Sequence, residues 1–337
     1  MFSVKTVTEY PSFDFFAFGL QISANQDVPG LVPSRLSGQP DLRVWLDDVP
    51  PEFRAPSGGA IEARAAGFEP DGASETWVTV WKCAKYFRLR YTDRTEFFID
   101  RSGTEIWATW PGDLTLTDTA TYLLGPVMNV VLRLRGTIAL HGSVVRIGDV
   151  AVAFVGAEGA GKSTTAATFA LAGYPVLTDD VAAIQDDGRA FRIIPAYPRV
   201  RLWPSSVELL FGSSQALPRL TPGWEKRYLQ LDGEALYFEP VPVPLAAIYF
   251  LHARSSDTAA IAIDAEPKRE AMVKLIGNTH ANYLLDQVSP ATSFDLLQRI
   301  ARFVPLRKLV PGSGATALTQ LRDAVVDDLR GLQELPC

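Results

Sequence analysis

Sulfur and imidazole are scarce in this chain. Of its 337 residues, two are cysteine and three are histidine. Cys83 and Cys337 form no C-x-x-C pair, which argues against a disulfide framework or a zinc site. His141, His252 and His280 are too scattered to suggest a metal cluster. No apolar run approaches the roughly 18 residues needed to span a bilayer. The opening residues Met1-Phe2-Ser3-Val4-Lys5-Thr6 carry no apolar stretch of the signal-peptide type. A cytoplasmic protein with no membrane partner is the expectation. Basic charge is also in deficit: 32 Lys and Arg against 38 Asp and Glu leave a net charge of −6. That balance argues against a nucleic-acid partner held by phosphate attraction. The chain has no Asn-Lys-x-Asp for guanine selection, and no internal repeat. What remains, 47% hydrophobic and 21% charged, is ordinary globular composition. The length fits about two domains.

Residues 1 to about 120 read as β-rich. Trp77-Val78-Thr79-Val80-Trp81 alternates, and so does Tyr86-Phe87-Arg88-Leu89-Arg90-Tyr91. Polar turns at Thr92–Thr95 and Arg101–Gly103 separate these from further short strands. The aromatic residues Trp77, Trp81, Tyr86, Phe87 and Tyr91 are read as sandwich core rather than a peptide-binding face. Residues 50–75, rich in Pro, Gly and Ala, read as a long loop or a partly disordered insertion. A helix is expected from Thr117 to about Leu134, capped by Thr117-Asp118 and kinked or split at Pro126.

From Thr137 the pattern becomes α/β. Strands are expected at Ile138–His141, Ser143–Ile147, Val150–Val155, Val176–Thr178, Leu245–Leu251 and Leu306–Val310. Helices are expected after the strand at 150–155 and at 267–285, 291–303 and 316–332, with loops at 213–225 and 239–244. The resulting division is a β-rich N-terminal domain at 1–116, a connecting helix at 117–136 and an α/β domain at 137–337.

The most informative stretch is Gly156-Ala157-Glu158-Gly159-Ala160-Gly161-Lys162-Ser163. It fits G-x-x-x-x-G-K-[ST] and lies between the apolar run Val150–Val155 and a helix-like segment that starts at Thr164. Such a loop wraps a polyphosphate with backbone N–H groups, and glycines permit the close approach. Gly156, Ala157, Glu158, Gly159, Ala160, Gly161, Lys162, Ser163 and Thr164 are therefore the candidate nucleotide contacts. Lys162 would reach the β- and γ-phosphates and Ser163 would hold Mg²⁺. Next comes Tyr174-Pro175-Val176-Leu177-Thr178-Asp179-Asp180-Val181, an apolar strand ending in two carboxylates. Strand neighbours point to opposite faces. If the strand continues, one carboxylate aims at the phosphates; if it ends at Asp179, both can. His141 ends a short apolar strand and is the third element.

Leu140-His141-Gly142-Ser143, the segment Phe154–Ser163 and the segment Gly173–Val181 together resemble the catalytic core of HPr serine kinase/phosphorylases. The resemblance covers roughly residues 136–185. Beyond them, Arg199-Val200-Arg201-Leu202-Trp203-Pro204 and Glu225-Lys226-Arg227 look like shorter relatives of that family, some associated with ribosomal-peptide biosynthesis. The resemblance implies an α/β P-loop kinase fold of the kind shared by the HPr kinase C-terminal domain and PEP carboxykinase, here behind the β-rich domain. It implies ATP- and Mg²⁺-dependent phosphorylation of a seryl or threonyl hydroxyl on a peptide or small protein. Asp180 matches the family's general base, His141 its active-site histidine, and Lys162 and Ser163 its phosphate and metal residues. Asp179 is the candidate for a metal-bound water or a supporting contact. The family's glutamate-bearing segment and its second signature loop have no counterpart here, so phosphorylase activity is not expected and the family's hexamer is not carried over.

Arg199, Arg201, Lys226 and Arg227 are candidate phosphate or acceptor contacts, since a planar guanidinium binds phosphate oxygens in a bidentate way. Two other readings stay open: a nucleotide-binding regulatory module with no acceptor of its own, and a kinase of a free small-molecule hydroxyl. A homo-oligomer is compatible with either.

Overall fold

The computed structural model describes residues 12–35, 38–53, 62–64, 77–231, 233–253, 261–279, 290–312 and 314–334. The first of its two large sheets has eight strands: β1 (Phe13–Ala17), β2 (Leu20–Ala24), β3 (Leu42–Leu46), β4 (Glu62–Arg64), β5 (Val78–Lys82), β6 (Tyr86–Tyr91), β7 (Glu96–Asp100) and β8 (Glu105–Thr109). Their order is β1-β2-β3-β8-β7-β6-β5-β4. Alternation separates the two faces, as in β2, where Leu20, Ile22 and Ala24 are buried and Gln21 and Ser23 are not. The predicted aromatic core divides accordingly. Phe87 and Tyr91 join the inner cluster, with Trp77 packed against it. Tyr86 and Trp81 lie on the outer face with Phe98 and Trp107. β4 falls inside the stretch 50–75 that reads as a loop; most of that stretch lies outside the described residues.

Helices, not a second sheet of the same unit, cover the inner face. α1 (Leu116–Tyr122) and α2 (Met128–Leu134) flank a π-helical turn at Leu123–Val127. The cap lies two residues before the expected one. Thr115 is the N-cap, and Asp118 completes a capping box from the N3 position. Pro126 lies in the π turn, next to Gly125 with non-helical dihedrals (φ −115, ψ −106). A proline inside a helix removes a backbone donor and crowds the preceding turn, so the split follows from its position. Leu123, Leu124, Val127, Val130 and Val131 belong to one buried cluster that reaches Phe15, Ile22 and Phe97 of the first sheet. The same cluster includes Val181, Ala183 and Ile194 of the second sheet.

The second sheet also has eight strands: β9 (Ile138–Ile147), β10 (Val150–Val155), β11 (Val176–Thr178), β12 (Val181–Asp186), β13 (Phe191–Ile194), β16 (Val243–Leu251), β17 (Ala262–Ala265) and β18 (Leu306–Val310). Between β13 and β16 in sequence, β14 (Arg199–Leu202) and β15 (Arg227–Gln230) form a separate two-stranded ribbon. α3 (Lys162–Leu171), α4 (Pro204–Phe211), α5 (Lys268–Gly277), α6 (Pro290–Phe303) and α7 (Ala315–Glu334) complete the chain. The whole is a mixed α/β architecture.

β9 is one continuous strand where the sequence predicts two. Gly142 reads as a break, yet it is a point of close approach: a Cβ there would lie 2.8 Å from the Phe154 carbonyl oxygen. The first half of β9 pairs with β12 and the second half with β10 and β11. β16 likewise pairs with β13 at its start and with β10 afterwards. β16 begins at Val243, inside the stretch 239–244 expected to be a loop. α5 ends at Gly277, earlier than the expected 285, and residues 280–289, His280 among them, lie outside the described residues. Among the described residues no helix is long and apolar enough to cross a membrane.

Leu123 is 1% exposed within the cluster that joins both sheets. Leu123→Ala is expected to lower the unfolding free energy by about 2–5 kcal/mol. Chemical denaturation followed by tryptophan fluorescence and by far-ultraviolet circular dichroism would check this, with both signals moving together.

Candidate functional site

β10 is buried from Ala151 to Val155 and runs parallel to β16. At its carboxyl end the glycine loop begins, and Gly161, left-handed at φ 99, leads into α3. No side chain among the described residues caps this helix start. Its first-turn N–H groups therefore lack intrahelical partners and are open to an anion. Ala157, Glu158 and Gly159 are exposed, Ser163 is half-buried in the first turn of α3, and Lys162 is buried. The Lys162 ammonium donates to the carbonyls of Gly156 (2.8 Å) and Ala157 (2.9 Å). Burial pushes its pKa down to about 8, against the opposite pull of Asp180, Asp179 and Glu158, while Lys226 pushes it down further. Thr164 is turned to a structural task, its hydroxyl 2.8 Å from that of Ser206 on α4.

The strand β11 stops at Thr178, so the two carboxylates sit in a turn before β12. Asp180 adopts φ 78, a left-handed conformation that costs a non-glycine residue on the order of 1–3 kcal/mol and persists where its surroundings enforce it. The two side chains have separate partners. Asp179 is buried and accepts from the Ser143 hydroxyl at 2.6 Å and from the Arg201 backbone N–H at 2.8 Å. Asp180 Oδ1 lies 2.9 Å from His141 Nδ1, and its Oδ2 lies 3.5 Å from the Arg201 guanidinium. The pairing of Val181 with His141 across β12 and β9 fixes that register. Arg201 also donates to the Tyr197 hydroxyl. Burial alone would lower the Arg201 pKa, but Tyr197, Asp180 and Asp179 carry it upward, so the guanidinium stays charged.

Gly125, in the π turn, closes the site from the helical side. A Cβ at this position would lie 3.2 Å from Asp180 Oδ2 and 3.5 Å from the Arg201 guanidinium. Gly125, Ser143 and Tyr197 are the site residues that sequence reasoning passed over. Ser143 stands in the quoted Leu140–Ser143 segment, so a signal existed; Gly125 enters through long-range contacts to Asp180 and Arg201, and Tyr197 through Arg201, four residues along the chain.

The four candidate basic residues separate. In the β14–β15 ribbon Arg199 pairs with Gln230 and Arg201 with Tyr228, which puts those side chains on one face. Arg227 pairs with Leu202 on the opposite face, where it is buried and donates to Gln215 at 2.6 Å. Lys226 lies 4.8 Å from the centre of the Trp203 ring and within electrostatic reach of Lys162. The structure therefore brings Lys162, Asp179, Asp180, His141, Arg201 and Lys226 together, sets Arg199 beside Arg201, and turns Arg227 away.

A second polar cluster was not anticipated. His252 follows β16 directly, at the same end of the sheet as the glycine loop. Lys274 donates to Glu266 at 2.6 Å and lies 2.6 Å from His252 Nε2, which is 3.1 Å from Glu266. Burial pushes the Glu266 carboxyl up, but the hydrogen bonds from Lys274 and His252 outweigh it and the net shift is down. These residues come from three separate elements, and nothing in their spacing marks them.

No protein-family profile matches the chain, and no curated protein matches it. Among solved structures it is similar to the Hpr(Ser) kinase/phosphatase from Coxiella burnetii, at 11% identity and a TM-score of 0.32, over 57% of this chain and 97% of that one.

Ser143→Ala leaves the buried Asp179 Oδ1 without its 2.6 Å donor. A loss of about 1–3 kcal/mol in unfolding free energy is expected, since the desolvated carboxylate oxygen goes unpaired. Urea denaturation at neutral pH would measure it.

Proposed function

We propose that this protein is an ATP- and Mg²⁺-dependent kinase acting on a hydroxyl acceptor, with a seryl or threonyl hydroxyl as the class the sequence favours. The observation that carries this reading is the strained Asp180, held by His141 and Arg201 beside Lys162 and the uncapped start of α3. A nucleotide-binding module needs the loop and Lys162, but it has no use for a carboxylate held in a costly conformation next to them.

The residues fit the group. Among the described residues no three His, Cys, Asp or Glu side chains gather into a metal cage. Mg²⁺ suits such a place, because it binds through one or two protein oxygens together with substrate phosphates. Ser163 would hold it, with Asp179 supporting through water. Bound Mg-ATP supplies the transferable phosphoryl group and neutralises its oxygens. Everything else falls to the chain. The backbone N–H groups at the start of α3 and the Lys162 ammonium bind and orient the triphosphate. Asp180 accepts the proton of the attacking hydroxyl. As the new P–O bond forms to that oxygen, the bond to the bridging oxygen breaks and ADP leaves with the electron pair. His141 donates to Asp180 Oδ1 and orients it. Arg201 fixes its other oxygen and adds positive charge where the phosphoryl group passes. The division proposed from sequence, with a β-rich domain at 1–116, a connecting helix at 117–136 and a catalytic domain at 137–337, belongs to the same proposal. In it the first unit recruits the acceptor.

The central test is γ-³²P transfer from ATP into a cell extract supplemented with a Ser/Thr peptide library, using wild type, Asp180→Asn and Lys162→Ala. Asp180→Asn is expected to lose transfer by about a hundredfold or more while still binding ATP. Lys162→Ala is expected to lose ATP binding. Transfer by Asp180→Asn at the wild-type rate would overturn the assignment of the base.

Lys162 also sets a pH dependence. Its pKa of about 8 lies below the ordinary lysine value, and bound phosphate favours the charged form, so affinity falls as the ammonium is lost. Mg-ATP affinity is expected to hold below about pH 8 and to weaken above it; calorimetric titration on both sides of that pH would check it.

A further inference from the structure

Lys226 is the cation near the glycine loop that has no task in the phosphoryl-transfer scheme. Its ammonium lies 4.8 Å from the centre of the Trp203 ring. Among the described residues no carboxylate pairs with it. The Trp203 ring is itself 45% exposed. A cation on a ring so open to water is held there more weakly than by a phosphate oxygen. The contact gives Lys226 a resting place without committing it.

The β14–β15 ribbon fixes where that cation stands. Arg201 pairs with Tyr228, and Leu202 with Arg227. One step further, the two chains reach Trp203, still extended at φ −69 and ψ 152, and Lys226. Alternate residues of a strand share a face. Trp203 and Lys226 therefore stand on the face of Arg201 and Tyr228, opposite the buried Arg227. On that face Arg201 reaches Asp180 Oδ2 at 3.5 Å. Trp203 is also the N-cap of α4, and the Ser206 hydroxyl of α4 lies 2.8 Å from that of Thr164 in the first turn of α3. Lys226 is thus held between the acidic turn and the start of α3. Its charge reaches Lys162 and opposes it. Two ammonium groups that repel each other are brought into balance by an anion between them. Lys162 approaches that place from the loop. Lys226 approaches it from the side of Asp180, where the transferred group departs.

We propose that Lys226 leaves Trp203 when nucleotide binds and takes the terminal phosphate of a nucleoside triphosphate. The site then prefers a triphosphate to a diphosphate, and Trp203 changes its surroundings with the triphosphate alone. The inference rests on the nucleotide-binding part of the reading above and needs no acceptor. It also gives product release a direction. Once the terminal phosphoryl group has moved to an acceptor, Lys226 returns to Trp203, and the diphosphate is held by Lys162 and the start of α3 alone.

The test is calorimetric titration of the full chain, with Mg²⁺, using ADP and β,γ-imido ATP, whose terminal phosphoryl group is not transferred. Wild type is expected to bind the imido triphosphate about tenfold or more tightly than ADP. Lys226→Met is expected to lose that preference and to keep wild-type ADP affinity, which also reports an intact fold and loop. Lys226→Arg is expected to keep the preference. Lys162→Ala, by contrast, is expected to weaken both nucleotides. Tryptophan emission gives a second readout: a change with the imido triphosphate, not with ADP, that is lost in Trp203→Phe. Equal wild-type affinities, an unchanged preference in Lys226→Met, an equal loss of both nucleotides there, or no emission change that depends on Trp203 would each overturn the proposal. Wild type and Trp203→Phe decide the question even if Lys226→Met does not fold. Binding without discrimination would remove the role of Lys226 and leave the nucleotide reading standing; binding of neither nucleotide would remove both.

Discussion

Two adjacent carboxylates cannot be carried to the floor of a folded protein unless each finds its own donors, because an unpaired buried charge costs far more than a hydrogen bond returns. That demand is met in full at the buried Asp179 and in part at the half-buried Asp180 beside it. Arg201 meets it twice, with its backbone N–H on one residue and its guanidinium on the next. For that, β14 must lie against the turn, and β15 must hold β14 in place. Ser143 and His141 supply the remaining donors from β9, two residues apart on one face of the strand. The turn is therefore clamped between a strand of the sheet and a ribbon outside it, and the left-handed Asp180 is what that clamp imposes.

Positive charge is distributed with the same economy in a chain that is acidic overall. Lys162 rests on its own loop, Arg201 is bound to the acidic turn, Lys226 stacks on Trp203, and Arg199 stacks on Tyr228. Each cation occupies a different environment, so each has different freedom to meet a ligand. Lys162 keeps its charge at neutral pH but loses it above about pH 8, well below the ordinary lysine range, because burial opposes it. Arg201 keeps its charge under deeper burial, because its neighbours are anionic and its intrinsic pKa is far higher.

What could be read in the sequence was local. A buried apolar strand, a glycine-rich loop and a helix form one continuous segment, and their boundaries follow from the order of residues between Val150 and Leu171. The acidic pair at the end of β11 was legible for the same reason. Features set by distant chain were not. Gly142 looks like a strand break until the Phe154 carbonyl is seen against it. The opposite facing of Arg199 and Arg227 depends on a pairing between β14 and β15 across a long intervening stretch. Glu266, His252 and Lys274 are unremarkable as sequence and become a cluster only when β16, α5 and the strand end near Glu266 converge. The cap expected at Thr117-Asp118 lies instead at Thr115, because Asp118 reaches back to it from the N3 position in a capping box that the spacing alone does not single out.

Gly142 and Gly125 shape the site by what they lack. One lets β9 lie against the Phe154 carbonyl, and the other lets the π turn close over Asp180 and Arg201. Neither bears a group that reacts, binds or titrates. A side chain at Gly142 would meet a backbone carbonyl at 2.8 Å, and one at Gly125 would press on the Asp180 carboxylate at 3.2 Å, so replacements there act on the site without touching a reacting group. Chemistry-minded inspection of the same sequence would leave both unmarked. Influence on the site and possession of a functional group are separate properties here, and the empty volume at these two positions is as much a determinant of the site as the carboxylate it surrounds.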